Sequence, residues 1–115
     1  MNNFKKEYTF DQRKLESSRV LAKYPDRVPI ICGKHEYAKV NEIDKNKYLV
    51  PYDLTCGQFV YVIRKRLHLP AEKAIFLFVN GTIPSSSKDL SSLYDEHKHL
   101  DGFMYITYSD ENVFG

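Results

Sequence analysis

The sequence has no tryptophan, only two cysteines and five glycines, and a net charge of just +2. It contains no apolar run approaching the roughly 18 residues of a membrane-spanning helix. Its first seven residues are mostly polar and charged, so no secretory signal is expected. Hydrophobic residues make up 43% and charged residues 28% of the 115 residues, which excludes a disordered chain. We therefore expect one soluble, cytoplasmic globular domain.

Signatures of catalysis are also missing. Cys32 and Cys56 do not form a CxxC pair, and His97 and His99 lack the spacing of zinc ligands. No glycine-rich phosphate-binding motif is present. Cys56 lies near a predicted helix start, where a thiol pKa can be lowered. A thiol hydrolase therefore remains one hypothesis, but structural roles for both cysteines are favoured. We expect no catalytic residue, no metal and no cofactor, which leaves a binding domain.

The positive charge is concentrated at the N-terminus. Residues 1–27 carry seven basic and four acidic side chains, and a second basic cluster occupies residues 64–66. The net charge of the whole chain is too small to indicate a nucleic-acid partner. Two interpretations stay open for the basic segment: a solvated helix surface, or a docking surface for an acidic partner or an anionic membrane.

Three helices are predicted from capping residues and periodicity. Thr9 caps a helix that begins at Phe10 and is ended by Pro25. The strongest helix pattern spans residues 53–68, with Asp53 and Thr55 as candidate caps. A short third helix follows Ser87, which we expect to cap it.

Strands are predicted at residues 28–32, 48–50, 75–79 and 103–108. Pro29 favours an edge strand or a strand start, and Asn80-Gly81 is a hairpin signal. This order of α and β elements is that of a β-grasp, or ubiquitin-like, sheet. Other small α+β folds are also compatible with it.

Several long motifs then occur in a fixed order: KYPDRVP at 23–29, KYLVP at 47–51, IFLFVN at 75–80 and YITYS at 105–109. Through them the chain resembles, over essentially its whole length, the GABARAP and microtubule-associated light-chain family of autophagy-related ubiquitin-like modifiers. The resemblance implies a ubiquitin-like β-grasp domain at 25–108 and a flexible tail at 109–115. It also implies two N-terminal helices within residues 1–24, the first of which would include Asn2 to Tyr8.

The resemblance further implies that Gly115 is conjugated to phosphatidylethanolamine on autophagosome and vesicle membranes. Glycine suits this chemistry because a residue without Cβ lets the backbone enter narrow enzyme clefts. The implied partners are the activating and conjugating enzymes, a processing cysteine protease, the membrane through the covalent lipid, and short peptides of cargo receptors and autophagy proteins. No cofactor other than this lipid and no nucleic acid is expected.

Peptides of the aromatic-x-x-aliphatic kind are expected to add as a strand beside residues 47–50. The first implied pocket consists of Glu16, Val20, Pro29, Ile31, Lys47, Leu49 and Phe103. The second implied pocket consists of Tyr48, Val50, Pro51, Leu54, Phe59, Val62 and Ile63. The implied charged rim is Arg27, Lys45 and Arg66, together with Lys47. A second docking surface, for helical ubiquitin-interacting motifs, would comprise Ile75, Phe76 and Leu77.

Two alternatives stay open. Ile31, Leu49, Phe59 and Ile63 are also the residues that a plain hydrophobic core would use. The basic N-terminal segment would also suit a trafficking or microtubule-associated adaptor that binds acidic tubulin tails. The sequence departs from the family pattern at Asn46, Tyr52 and Cys56, and these departures concern partner preference.

Overall fold

The computed structural model describes residues 3–111. In chain order its helices and strands are α1 (Phe4–Glu7), α2 (Phe10–Lys23), β1 (Arg27–Lys34), β2 (Lys47–Pro51), α3 (Cys56–Leu67), β3 (Phe76–Phe78), α4 (Leu90–His97) and β4 (Met104–Ser109). No helix among these residues is long and apolar enough to cross a membrane.

The two longest helices begin where their capping residues predict. The side chain of Thr9 accepts a hydrogen bond from the Gln12 amide, and the Gln12 side chain accepts one from the Thr9 amide. Thr55 and Gln58 form the same reciprocal box at the start of α3. Each box satisfies amide groups that have no partner within the helix, so the helix start is fixed by local chemistry.

One predicted cap is wrong. The residue before α4 is Asp89, and Ser87 instead forms a side-chain hydrogen bond with Ser85 at 3.0 Å. Residues 86–88 form a turn and a bend, and Asp89 is extended where it forms an isolated bridge with Thr55. A tertiary contact therefore delays the helix beyond the serine-rich turn.

The four strands form one sheet in the order β2-β1-β4-β3, with β1 and β4 parallel and the other pairs antiparallel. Pro29 lies opposite Leu49, one residue before β1 begins to pair with β4 at Ile30. The proline is therefore the third residue of a central strand, and the predicted edge strand or strand start is wrong; proline is tolerated here because pairing with β4 has not yet begun. Asn80 and Gly81 both have positive φ, and the flanking Val79 and Thr82 exchange backbone hydrogen bonds as a tight hairpin requires.

The main core lies between the sheet and α3. Ile30 of β1, Ile106 of β4, and Phe59 and Ile63 of α3 are at most 1% exposed. A second, smaller core contains Phe4, Ile31 and Phe103. Burial of a large apolar side chain contributes roughly 1.5–3 kcal/mol, so both cores stabilise the sheet.

Phe4 binds α1 to the domain through the second core, whereas α2 is bound through polar contacts. Arg13 Nη1 donates to Asp101 Oδ2 at 2.6 Å, and the Ser17 hydroxyl donates to the Asp101 carbonyl at 2.5 Å. Asp101 is fully buried and also accepts bonds from the Tyr105 hydroxyl and the Phe103 amide. The expected first helix is present as α1, although Asn2 lies outside the described residues.

Candidate functional site

The candidate site is built around β2, which lies at one edge of the sheet. An edge strand leaves a row of backbone groups open to pairing with another chain. Successive side chains of a strand point to opposite faces, so Lys47 and Leu49 share one face and Tyr48 and Val50 share the other. The two expected pockets therefore lie on opposite faces of the same strand.

The residues of the first expected pocket surround Lys47 and Leu49. Pro29 and Ile31 of β1 lie opposite Leu49 and Lys47, respectively. Phe103 packs in one small cluster with Ile31. The register of the sheet thus brings together residues that are far apart in sequence.

Phe4 covers the floor of this pocket and was not among the residues predicted for it. Its ring meets the Phe103 ring edge-on at a centroid distance of 5.2 Å, and only 2% of Phe4 is exposed. Ile31 and Phe103 lie in the same cluster and are themselves buried, so they form a floor rather than an open surface. The sequence offers one indication of this role, since Phe4 is a single phenylalanine among the polar residues 2–7.

The open part of the first pocket lies between α2 and β2. Glu16 of α2 forms an ion pair with Lys47, whose ammonium group also lies 5.9 Å from the centre of the Phe4 ring. Val20 and Leu49 line the same groove and are half-buried. A partly exposed ion pair of this kind contributes little to stability.

The second expected pocket has a buried floor and a partly exposed rim. Tyr48 and Phe59 pack edge-on at 5.5 Å, and both belong to the main core with Val50 and Ile63. The rim is formed by residues with more accessible surface, namely Pro51, Leu54 and Val62. For Phe59, Ile63 and Ile31, the core interpretation is therefore correct, whatever ligand binds above them.

Tyr48 carries an unusual feature of this site. Only 5% of the residue is exposed, and its hydroxyl has no hydrogen-bond partner among the described residues. Burial raises the pKa of this hydroxyl, so it stays protonated. The Lys45 ammonium group lies 5.1 Å from the centre of the Tyr48 ring. Because this oxygen has almost no accessible surface, Tyr48 forms part of the buried floor of the second pocket.

Part of the predicted charged rim meets in one groove. Lys45, Lys47 and Arg66 line a groove of about 610 Å³ beside Tyr48 and Leu49. Arg66 donates to Asp44 at 2.9 Å, which partly neutralises the groove. Arg27 lies at the other end of β2, opposite Pro51, with its guanidinium over the Tyr24 ring.

The expected second docking surface lies on β3, the other edge strand. Ile75 and Phe76 are half-buried, whereas Leu77 is 4% exposed and belongs to the main core. Only Ile75 and Phe76 therefore offer surface for a partner.

The cysteines are placed as structural residues. Both are buried, and burial raises the pKa of each thiol, so Cys56 is not activated by its position at the start of α3.

The two histidines near α4 contact other side chains: His97 contacts Asn80, and His99 contacts Asp101. No group of three potential metal ligands occurs among residues 3–111.

The fold and this edge define a ubiquitin-like domain with a helical N-terminal extension. The family model described as "Autophagy protein Atg8 ubiquitin like" matches residues 12–115. Autophagy-related protein 8 of Vanderwaltozyma polyspora is 59% identical over 114 residues, covering 99% of this chain and 97% of the relative. The Saccharomyces cerevisiae protein is 58% identical with the same coverage. The crystal structure of Trypanosoma brucei ATG8 superposes with a TM-score of 0.90 at 43% identity, covering 95% of this chain and 94% of that chain.

The chain belongs to the Atg8 family of ubiquitin-like autophagy proteins. The ubiquitin-like α+β fold and the family predicted from the motifs are thereby confirmed. Proteins of this family are modifiers and adaptors that act with the autophagy machinery, and they are not themselves enzymes. The predicted domain limits, pocket assignments and conjugation site stay predictions.

Proposed function

We propose that this chain docks aromatic-x-x-aliphatic peptides along β2 while it is conjugated through Gly115 to phosphatidylethanolamine on autophagosomal membranes. The observation that carries the docking proposal is the edge position of β2, with a half-buried Leu49 on one face and the partly exposed Pro51, Leu54 and Val62 beside the other. A peptide added to this edge gains main-chain hydrogen bonds, and its alternate side chains reach both faces.

Charge supports the same ligand. Lys45, Lys47 and Arg66 line the groove beside the edge; Lys47 is paired with Glu16 and Arg66 with Asp44. Acidic residues flanking a docked motif would meet these cations, which raises the association rate and the selectivity more than the affinity. The ligand is therefore an extended, acidic-flanked peptide of a cargo receptor or an autophagy protein.

The docking proposal is tested by calorimetry with a synthetic aromatic-x-x-aliphatic peptide. The double variant Lys47→Glu with Leu49→Ala should weaken binding by about 2 kcal/mol or more, which is the scale of an interface hot spot. Leu100→Ala is the matched control, because Leu100 is 82% exposed and lies outside the site. An unchanged dissociation constant for the double variant would refute the pocket assignment.

The conjugation proposal concerns a residue outside the described part of the chain. Gly115 would be activated as a thioester and transferred to the lipid amine by the activating and conjugating enzymes. Its processing cysteine protease would cut after this glycine. Deleting Gly115 should abolish recovery in the membrane fraction and the mass of the lipid adduct, yet leave peptide binding intact. Lipid attachment in the deletion variant would contradict the proposal. The unconjugated protein would be cytoplasmic, and the conjugate would be on autophagosome and vesicle membranes.

A second candidate function follows from the basic surface of the N-terminal helices. Lys6, Lys14 and Arg19 are exposed on α1 and α2 and form no ion pair within residues 3–111. Such a surface would suit acidic tubulin tails in a microtubule-associated adaptor. Co-sedimentation with microtubules should then collapse as salt rises, because exposed charges are screened. No sedimentation at low salt would dismiss this alternative.

A further inference from the structure

The loop at residues 35–40 lies where the C-terminal tail leaves the sheet. The His35 amide donates to the Tyr108 carbonyl at 2.8 Å, and the Lys39 amide donates to Asp110 Oδ1 at 3.0 Å. The Lys39 ammonium group lies 3.8 Å from a Glu111 carboxylate oxygen. The loop is therefore held against the last strand and the residues that follow it. We call residues 35–40 the exit loop.

The reach of the tail limits how far this loop can lie from a conjugated lipid. Four residues, 112–115, follow Glu111. Even a fully extended chain spans at most about 3.5 Å per residue, so Gly115 lies within about 14 Å of Glu111. The smallest dimension of the molecule is 25 Å. A lipid on Gly115 would therefore hold Glu111, and the exit loop bound to it, within reach of the bilayer.

Tyr37 at the tip of the exit loop is 70% exposed. The loop is nevertheless held in place beneath it: the Ala38 amide donates to the His35 carbonyl at 2.9 Å, and Lys34 Nζ donates to the Ala38 carbonyl at 3.1 Å. The Tyr37 ring lies 5.4 Å from the His35 ring, which lies 5.7 Å from the buried Phe78 ring. An exposed aromatic ring is thus presented on a supported loop.

The chemistry of this surface fits the headgroup region of a zwitterionic bilayer. Tyrosine combines an apolar ring with a polar hydroxyl and is enriched at membrane interfaces for that reason. Two lysines of the region, Lys34 and Lys39, are offset by Glu36, Asp110 and Glu111, so the local charge does not require anionic lipid. The attraction comes from the ring and should be nearly independent of salt.

We propose that the exit loop is a membrane-contact surface and that Tyr37 inserts into the headgroup region of the bilayer that carries the conjugated lipid. The inference rests on the proposed conjugation at Gly115. It adds an orientation: the sheet end that holds the exit loop faces the membrane. Arg27 and Pro51 lie at the opposite end, because β1 runs parallel to β4 and antiparallel to β2.

The absence of tryptophan allows a direct test. Tyr37→Trp introduces a single fluorophore at the proposed contact, and Tyr52→Trp is the matched control. Tyr52 is 54% exposed and directly follows β2 at the opposite end of the sheet. Each variant also carries Gly115→Cys and is coupled to a maleimide-bearing phospholipid in phosphatidylcholine–phosphatidylethanolamine vesicles. The other two cysteines are buried and should not couple.

On coupling, the emission of the Tyr37→Trp variant should shift to shorter wavelength and be quenched by brominated phosphatidylcholine, with little change in high salt. The Tyr52→Trp variant should show neither effect. Equal quenching of both variants, or no shift at residue 37, would overturn the proposal. Chemical coupling bypasses the conjugating enzymes, so a failure of lipid attachment in cells is distinguished from a failure of Tyr37 to contact the bilayer.

Discussion

Replacing Asp101 by asparagine should strongly destabilise the domain while preserving the shape of the side chain. The Asp101 carboxylate is fully buried and accepts bonds from Arg13 at 2.6 Å, from the Tyr105 hydroxyl at 2.5 Å and from the Phe103 amide at 2.9 Å. An amide has only one acceptor oxygen. The Asp101→Asn variant therefore leaves the Arg13 guanidinium, itself 9% exposed, without a counter-charge.

The expected loss of stability follows from these contacts. Breaking one partner of a buried ion pair removes about 3–5 kcal/mol, because the remaining charge is left uncompensated. Arg13 keeps its bond to the Tyr8 carbonyl at 3.2 Å, so we expect the lower end of that range. A loss of about 3 kcal/mol lowers the melting temperature of a domain of this size by about 12 °C.

Urea unfolding followed by circular dichroism measures this change as a lower midpoint with an unchanged slope. The control is Glu96→Gln, because the Lys88–Glu96 pair has the same 2.6 Å separation as the Arg13–Asp101 pair but is exposed. Its midpoint should equal that of the wild type. If both variants unfold at the wild-type midpoint, burial does not strengthen the Arg13–Asp101 pair and the reasoning is wrong.

The remaining predictions use the same measurements. Burial raises the pKa of Asp101, but the hydrogen bonds from Tyr105, Phe103 and Arg13 outweigh burial and lower the pKa overall. The stability that the Asp101 carboxylate contributes is therefore present above about pH 4 and is lost as the pH falls through the lowered pKa. The difference in unfolding free energy between the wild type and the Asp101→Asn variant should therefore shrink as the pH falls below about 4. Tyr48→Phe should leave the urea midpoint unchanged or raise it, since no hydrogen bond to the Tyr48 hydroxyl is lost. Gly102→Ala should destabilise more than Gly81→Ala: both have positive φ, but only at Gly102 would the added Cβ lie 2.1 Å from Ser17 Oγ.

Local chemistry made much of the fold predictable. The Thr9 and Thr55 boxes fixed two helix starts, and Asn80-Gly81 fixed the hairpin, since each depends on neighbours in sequence. The Ser87 cap failed because a distant bridge from Thr55 holds Asp89 extended. The tendency of serine to cap a helix depends on neighbours in sequence, so it cannot predict a contact with a distant residue.

The candidate site was predictable only in part, for a related reason. The motif at residues 47–51 locates the edge strand, and the family resemblance supplies the expected pocket residues. Neither shows that Phe4 covers Ile31 and Phe103, because this contact joins α1 to the residue just before β4, across nearly the whole chain. From the sequence, Asp101 is likewise expected to lie in an exposed turn beside Gly102. Its burial follows only from the packing of α2 against it.

The parallel pairing of β1 with β4 has a consequence for biosynthesis. Ile30 pairs with Met104, so the centre of the sheet joins segments more than 70 residues apart, and β4 ends at Ser109 of 115 residues. Contacts between such distant segments slow folding, because a long loop must close first. A nascent chain cannot complete its sheet until the last strand has left the ribosome. A chain truncated before residue 104 would therefore keep the antiparallel β1–β2 pair but leave β1 without its parallel partner.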